Sequence, residues 1–315
     1  MNDSLAVVLV VSGISFGTPV VFAAIGEILA ERSGVLNIGI EGIMLVGAVC
    51  GYWGAQTTGL VWVGVVAGAA AGGALAAVFA FGAVSLRVNQ IVMGLALTIF
   101  GGGLSSFIGV SGHPPLVGTT GRAHLGNVFG KAMADLPVAG PILFGHDLLV
   151  YLSWVVVAAT SAYLFRTRRG LALRAVGDDP AAADSMGIGV AATRYVHVVL
   201  GGIGAGIGGA YVSLALIPTW VDGLTTGLGW IAIALVVVSA WRPWRALIAA
   251  YAFGALSRLA FVLQVHGIKV PAEFLGALPY VLAIIALVLI TSPKGRRAAE
   301  APVYLTRPFV REALT

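Results

Sequence analysis

The chain has 315 residues, 59% of them hydrophobic and only 10% charged, with a mean hydropathy of +0.99. A soluble domain carries roughly 25% charged residues, and no soluble fold of this size hides so much apolar surface, so its solvent is lipid. The net charge of +5 would admit a nucleic-acid partner, but the basic residues sit in short loops between apolar runs, which argues against one.

The N-terminal run "MNDSLAVVLVV" lacks the basic flank and the small-residue cleavage site of a signal peptide, so it is expected to stay as a span. Runs of the roughly 20 apolar residues that cross a bilayer cover 5–28, 40–57, 59–83, 90–110, 147–165, 195–217, 227–241, 246–264 and 276–291. They predict an all-α polytopic membrane protein with about nine (8–10) transmembrane helices, since a backbone in lipid must satisfy its own hydrogen bonds. The alternation of barrel strands is missing. Residues 1–292 are expected to form one transmembrane domain, followed by a basic tail, 293–315.

Basic residues set the orientation. Arg166, Arg168, Arg169, Arg174 and Arg194 fall in one loop, and Lys294, Arg296, Arg297, Arg307 and Arg311 in the tail. The positive-inside rule makes both cytoplasmic. Four runs lie between them, the even number that two cytoplasmic ends require. Arg87 and the "WRPWR" turn, Trp241 to Arg245, then fall inside as well. The segment 111–146 falls outside, and so does the N-terminus.

Between the first two runs lies "ERSGVLNIGIEG", residues 31–42, with charges, an Asn and three glycines. At membrane depth an ionisable residue marks a pathway or a pair, and Gly34 and Gly39 would let a helix break there. Asn37 and Glu41, four apart, would share a helix face and could hydrogen-bond a ribose hydroxyl or a nucleobase edge. The alternative is a short cytoplasmic turn over 31–37, with Arg32 a positive-inside residue and Asn37 a helix cap.

The loop 166–195 is too long for a turn. Within it "DDPAAADSMGI" carries its own helix signals: Asp178 or Asp179 as N-cap, Pro180 at the first helical position and Gly187 as the stop. A short capped helix outside the membrane is suited to docking in a groove of a cytosolic partner; a solvated connector is the alternative. Further along, "GGIGAGIGGA" (201–210) lies inside a span with no strand before it, so close helix packing explains it better than dinucleotide binding. Arg258 lies within 246–264, where a partner or snorkelling is the commoner role and substrate contact the other. Trp220 and Trp230 flank an outer turn with Asp222; interfacial anchoring is the default for them and base stacking the alternative. The histidines show no metal-ligand spacing, and one cysteine, Cys50, forms no intrachain disulfide.

"LRAVGDDPAAADSMGI" resembles the cytoplasmic coupling segment of ABC-transporter permeases of the branched-chain amino acid/ribose/nucleoside importer group. "ERSGVLNIGIEGIMLVGA" (Glu31 to Ala48) resembles a signature of the nucleoside-type permeases within it. "GLGWIAIALVVVSAWRPW" (Gly227 to Trp244) and "VPAEFLGALPYVLAI" (Val270 to Ile284) resemble two more. The two acids Asp178 and Asp179 depart from the Glu–Asn expected in the coupling segment.

The resemblance implies a permease subunit, not an enzyme, in a bacterial cytoplasmic (inner) membrane, with no cofactor or metal of its own. No phosphate-loop motif is present, so ATP and Mg would be bound by a separate cytosolic ABC ATPase. A second permease subunit, usually a paralogue, and an extracytoplasmic substrate-binding protein are the other implied partners. Gly177, Asp178, Asp179, Pro180, Ala181, Ala182, Met186, Gly187 and Ile188 would couple to the ATPase. Asn37, Glu41, Arg258 and Trp230 are the candidates for the translocation pathway. The expected cargo is a nucleoside; a sugar or a branched-chain amino acid on the same machine, an ion-coupled secondary transporter and a membrane enzyme are the competing readings.

Overall fold

The computed structural model describes residues 5–112, 115–119, 125–130, 133, 136–265, 281, 284, 285, 288 and 301–310. The described chain is helical. In order it forms α1 (Leu5–Arg32), α2 (Ile40–Thr58), α3 (Val61–Ala80) with a π-helical turn (Phe81–Ser85), and α4 (Gln90–Ser111). After a second π turn (Gly140–Phe144) come α5 (Leu148–Arg166), α6 (Arg168–Asp178), α7 (Pro180–Ser185) and α8 (Val190–Tyr211) with a third π turn (Val212–Leu216). The last two are α9 (Leu228–Val238) and α10 (Pro243–Val265).

Several helices start where short polar side chains dictate. Asn89 accepts from the amides of Ile91 and Val92 at α4, and Asp147 from those of Leu149 and Val150 at α5. Each satisfies N–H groups that a helix start leaves without a carbonyl.

Among the described residues, α1, α3 with its π turn, α4, α5 and α8 with its π turn are long and apolar enough to cross a membrane. The chain is a multi-pass membrane protein. Runs 40–57 and 246–264 are helical too, as α2 and α10, while 276–291 lies outside the described residues. Run 227–241 is not the full span its apolar character suggests. α9 has 11 residues, about 16 Å at 1.5 Å per residue, half of a roughly 30 Å hydrocarbon core. Gly227 at φ +94° precedes it, and Ala240 and Trp241, at φ +52° and +55°, turn the chain just after it. Hydropathy measures burial in an apolar medium, not helix length, and so missed both breaks.

α8 packs on α1, α2 and α3, and the glycines of 201–210 make this possible. A methyl on Gly202 would lie 2.5 Å from the carbonyl oxygen of Gly72, and one on Gly72 2.3 Å from that of Gly202. Backbone therefore touches backbone, the arrangement small residues permit between membrane helices. Gly202→Leu is expected to force α3 and α8 apart and lower the thermal unfolding midpoint of the detergent-solubilised protein by several degrees. Unchanged stability would show that the α3–α8 contact tolerates bulk.

The helix ends sort by charge. Residues 32–34, the 166–194 segment, the 241–245 turn and 301–310 meet at one end, linked by bonds described below. At the other end Tyr211 donates to Asp147 (2.8 Å) and Tyr52 to the carbonyl of Thr119 (2.7 Å). Trp220 lies near this second end but is 1% exposed, packed with Val49, Tyr52 and Leu116. It is a core residue and not the interfacial anchor expected of an exposed outer turn.

Candidate functional site

α1 runs past the expected end at residue 28 to Arg32, so Glu31 and Arg32 belong to a helix and not to a turn. Gly34 then reverses the chain at φ +86°, a value that favours glycine. The turn climbs back along α1: the amide of Asn37 donates to Glu27 Oε1 (2.8 Å). Its Oδ1 accepts from the amide of Gly39 (3.0 Å). Thr98, eight residues into α4, donates to the carbonyl of Ile38 (3.2 Å), which places the start of α2 about 12 Å inside the bundle. Asn37 precedes α2, so it does not share a helix face with Glu41 as their spacing suggests. Gly39 stands between them as the residue before the helix.

Glu41, in the first turn of α2, reaches across to the half-length helix. Its Oε1 accepts from the amide of Gly227 (2.9 Å), and its Oε2 from those of Gly229 (2.9 Å) and Trp230 (3.4 Å). A carboxylate from one helix thus closes the open N-terminus of another, where unsatisfied N–H groups and the helix dipole favour an anion. Gly229 permits the approach, since a methyl there would lie 2.6 Å from Glu41 Cα. Only the Trp230 backbone takes part in this contact, and its side chain is 42% exposed.

The segment 217–227 descends from the end opposite the basic one to reach Glu41. Thr219 donates to the carbonyl of Thr119 (3.2 Å) at the top. Lower down, Asp222 Oδ1 accepts from the hydroxyl of Ser106 (2.5 Å), five residues short of the end of α4. Asp222 is exposed. Thr225 is buried, and its hydroxyl has no hydrogen-bond partner. Spacing pointed to Glu41, whereas Trp230 was expected first as an interfacial anchor. Ser106 and the depth of Asp222 were missed because a re-entrant segment after a span looks like an outer loop.

At the basic end the predicted coupling residues form a capped turn. α6 ends at Asp178, and Asp179 Oδ1 accepts from the amide of Ala182 (3.0 Å), with Pro180 opening α7. Gly187 stops the helix at φ +80°. Ala183 packs inward with Val176 and Val190. Ala181, Ala182 and Met186 face outward, Met186 at 81% exposure, while Ile188 is half-buried. Gly177 sits under α1, where a methyl would lie 2.3 Å from the carbonyl oxygen of Arg32.

This turn is tied to the opening of α2. The amide of Tyr304 donates to the carbonyl of Gly177 (2.9 Å), and that of Thr306 to the carbonyl of Gly34 (3.2 Å). Arg194, 2% exposed, donates through Nε to the carbonyl of Ser33 (3.1 Å) and through Nη1 to that of Arg307 (3.3 Å). Trp241 Nε1 donates to Glu31 Oε2 (2.6 Å), joining the end of α9 to α1. Arg194 is therefore a buried clamp on α8 and not a charge in a cytoplasmic loop. Positive-inside counting hid it, because a buried arginine and a solvated one are the same letter. Tyr304, Leu305 and Phe309, aromatic and apolar residues in a tail otherwise read as basic, were the available signal for the strap.

Arg258 stands apart from both groups, its guanidinium 3.8 Å from the ring centre of Phe16 and 5.0 Å from that of Phe261. Among the described residues no three His, Cys, Asp or Glu side chains are grouped to hold a metal ion.

The protein-family profile described as "Branched-chain amino acid transport system / permease component" matches residues 9–291. A Haloferax volcanii protein provisionally named a glucose ABC transporter permease is 41% identical over 81% of this chain and 78% of its own. The nucleoside ABC transporter permease of Lactococcus lactis subsp. cremoris is 33% identical over 90% of this chain and 92% of its own. The guanosine ABC transporter permease of Bacillus subtilis is 31% identical over 96% and 97%. No solved structure gives a significant match.

Proposed function

We propose, from the premise that this chain belongs to the branched-chain amino acid transport system / permease component family, that its cargo is a nucleoside and its power source a separate ATPase. The chain is the permease subunit of an ABC transporter. Its partners are inferred to be a cytosolic ABC ATPase, a second, paralogous permease and an extracytoplasmic binding protein. About nine spans in a bacterial inner membrane, with the basic end cytoplasmic, are the expected setting.

The observation that carries the reading is the half-length helix α9. Its N-terminus is held deep in the bundle by Glu41 and its C-terminus is tied to α1 through Trp241. Broken helices of this kind line routes in other transporters. Beside it, Asp222 and Trp230 are exposed, and an acidic group at that depth belongs against water or protein and not lipid. Both side chains are inferred to line the route. A carboxylate suits the vicinal hydroxyls of a ribose, and an indole suits the face of a base. Asp178 to Ile188 would receive the push of ATP-driven closure, which the strap and Arg194 would pass to the α1–α2 turn as a rigid-body movement.

A sugar is the second reading, favoured by the 41% identical relative named for glucose; the same two side chains would serve a pyranose. The test is uptake of labelled adenosine, guanosine, uridine and glucose by the reconstituted transporter, with each partner omitted in turn. Nucleoside uptake should vanish without the ATPase. An Asp179→Ala/Pro180→Ala variant, which loses the α7 cap, should assemble yet transport at least fivefold more slowly. Uptake by this chain alone, collapsed by an uncoupler, would instead mark an ion-driven carrier.

A further inference from the structure

We propose that the cleft between α5, α6 and the 241–245 turn is a binding site for the phosphate-bearing headgroup of an anionic phospholipid. The cleft, of about 390 Å³, is lined by Ser161, Phe165, Arg174, Arg242, Trp244 and Arg245, with Pro243 between the last arginines. Three arginines line it, and no carboxylate is among its described lining residues. Such a cluster is built for an anion, and the planar fork of a guanidinium matches phosphate oxygens in pairs. Arg174 Nε is buried without a hydrogen-bond partner, and its guanidinium lies 5.4 Å from the ring centre of Phe165.

Position selects a lipid as the source of the phosphate. Phe165 is the last residue but one of α5, and Pro243 is the first of α10, so the cleft opens where spans leave the hydrocarbon. Phe165 and Trp244 are 40% and 50% exposed on its rim, the aromatic character of a membrane interface. A free phosphate has no use for these rings, whereas the glycerol and first acyl carbons of a lipid lie against them. The cleft is at the basic end, and the cytoplasmic leaflet carries the anionic lipids that basic pockets between helices recognise. No residue of 179–188 lines it, so it is separate from the surface offered to the ATPase.

The experiment uses the assembled transporter, delipidated and then given phosphatidylglycerol, phosphatidylcholine or inorganic phosphate, with retained lipid read by native mass spectrometry and stability by thermal unfolding. The wild type should retain phosphatidylglycerol and gain stability from it alone. Arg174→Gln/Arg245→Gln should retain at least tenfold less. If that variant does not fold, Arg174→Lys/Arg245→Lys, which keeps charge but loses the paired geometry, should retain several-fold less. Equal retention by the variant that folds overturns the site. So does equal stabilisation by inorganic phosphate, which would make it a soluble-anion site. Loss of the ATPase subunit with lipid retention unchanged would reassign the cleft to protein docking.

Discussion

Arg194→Ala is expected to lower uptake at least tenfold while ATP hydrolysis by the assembled complex continues. The guanidinium is buried on α8 and bridges the carbonyls of Ser33, in the turn before α2, and Arg307, in the strap. The strap in turn bonds Gly177, two residues before the cap of α7, and Gly34. Removing the side chain deletes two hydrogen bonds from a cation, each worth about 1.5–3 kcal/mol, and leaves the carbonyl of the buried Ser33 bare. α7 then keeps its own cap but loses its firm link to the turn that carries Asn37. Arg194→Lys should rescue only partly, since a point charge cannot reach both carbonyls through a planar fork. Paired measurements of ATP hydrolysis and uptake separate this outcome from simple misfolding, in which both fall together. Normal uptake in Arg194→Ala would mean that the push reaches the pathway by another route.

Glu41→Gln should be the second most damaging change. The native carboxylate accepts three amides at the start of α9 through two oxygens. Glutamine keeps one acceptor and turns an N–H₂ group toward donors, and it removes the negative charge that complements the helix end. A loss of about 1–3 kcal/mol follows from leaving buried amides without a partner. α9 is then free to swing about its Trp241 tie, so nucleoside uptake should drop about tenfold and the thermal midpoint should fall. Glu41→Asp keeps the charge but shortens the reach by one methylene, and should lie between. Loss of uptake without any change in stability would instead point to direct contact between Glu41 and the cargo.

How far the site was legible depended on whether a signal was local. The α7 turn was visible as "DDPAAADSMGI" because a cap, an N1 proline and a terminating glycine act within a few residues of each other. The two adjacent acids Asp178 and Asp179 look alike as caps, and in the fold Asp179 is the one that accepts from Ala182. The glycines of 201–210 announced close packing, though not that Gly72 of α3 would be the partner. "ERSGVLNIGIEG" announced an interruption. That it climbs back beside α1, leaving Asn37 off the helix, follows from the bond to Glu27.

By itself the sequence determined the membrane setting, the helical class, most helix ranges, the capped turn and the family. These rest on composition and on interactions between near neighbours, which a string of letters preserves. The tertiary structure alone decided that α9 is half a span, that Glu41 closes it from another helix, that Trp220 is core and that Arg194 and the 301–310 strap bind the α6–α7 turn to the start of α2. Each of those joins residues from about 100 to about 270 positions apart, or concerns the depth at which a side chain lies. Distance in space and access to solvent are settled only when the helices pack.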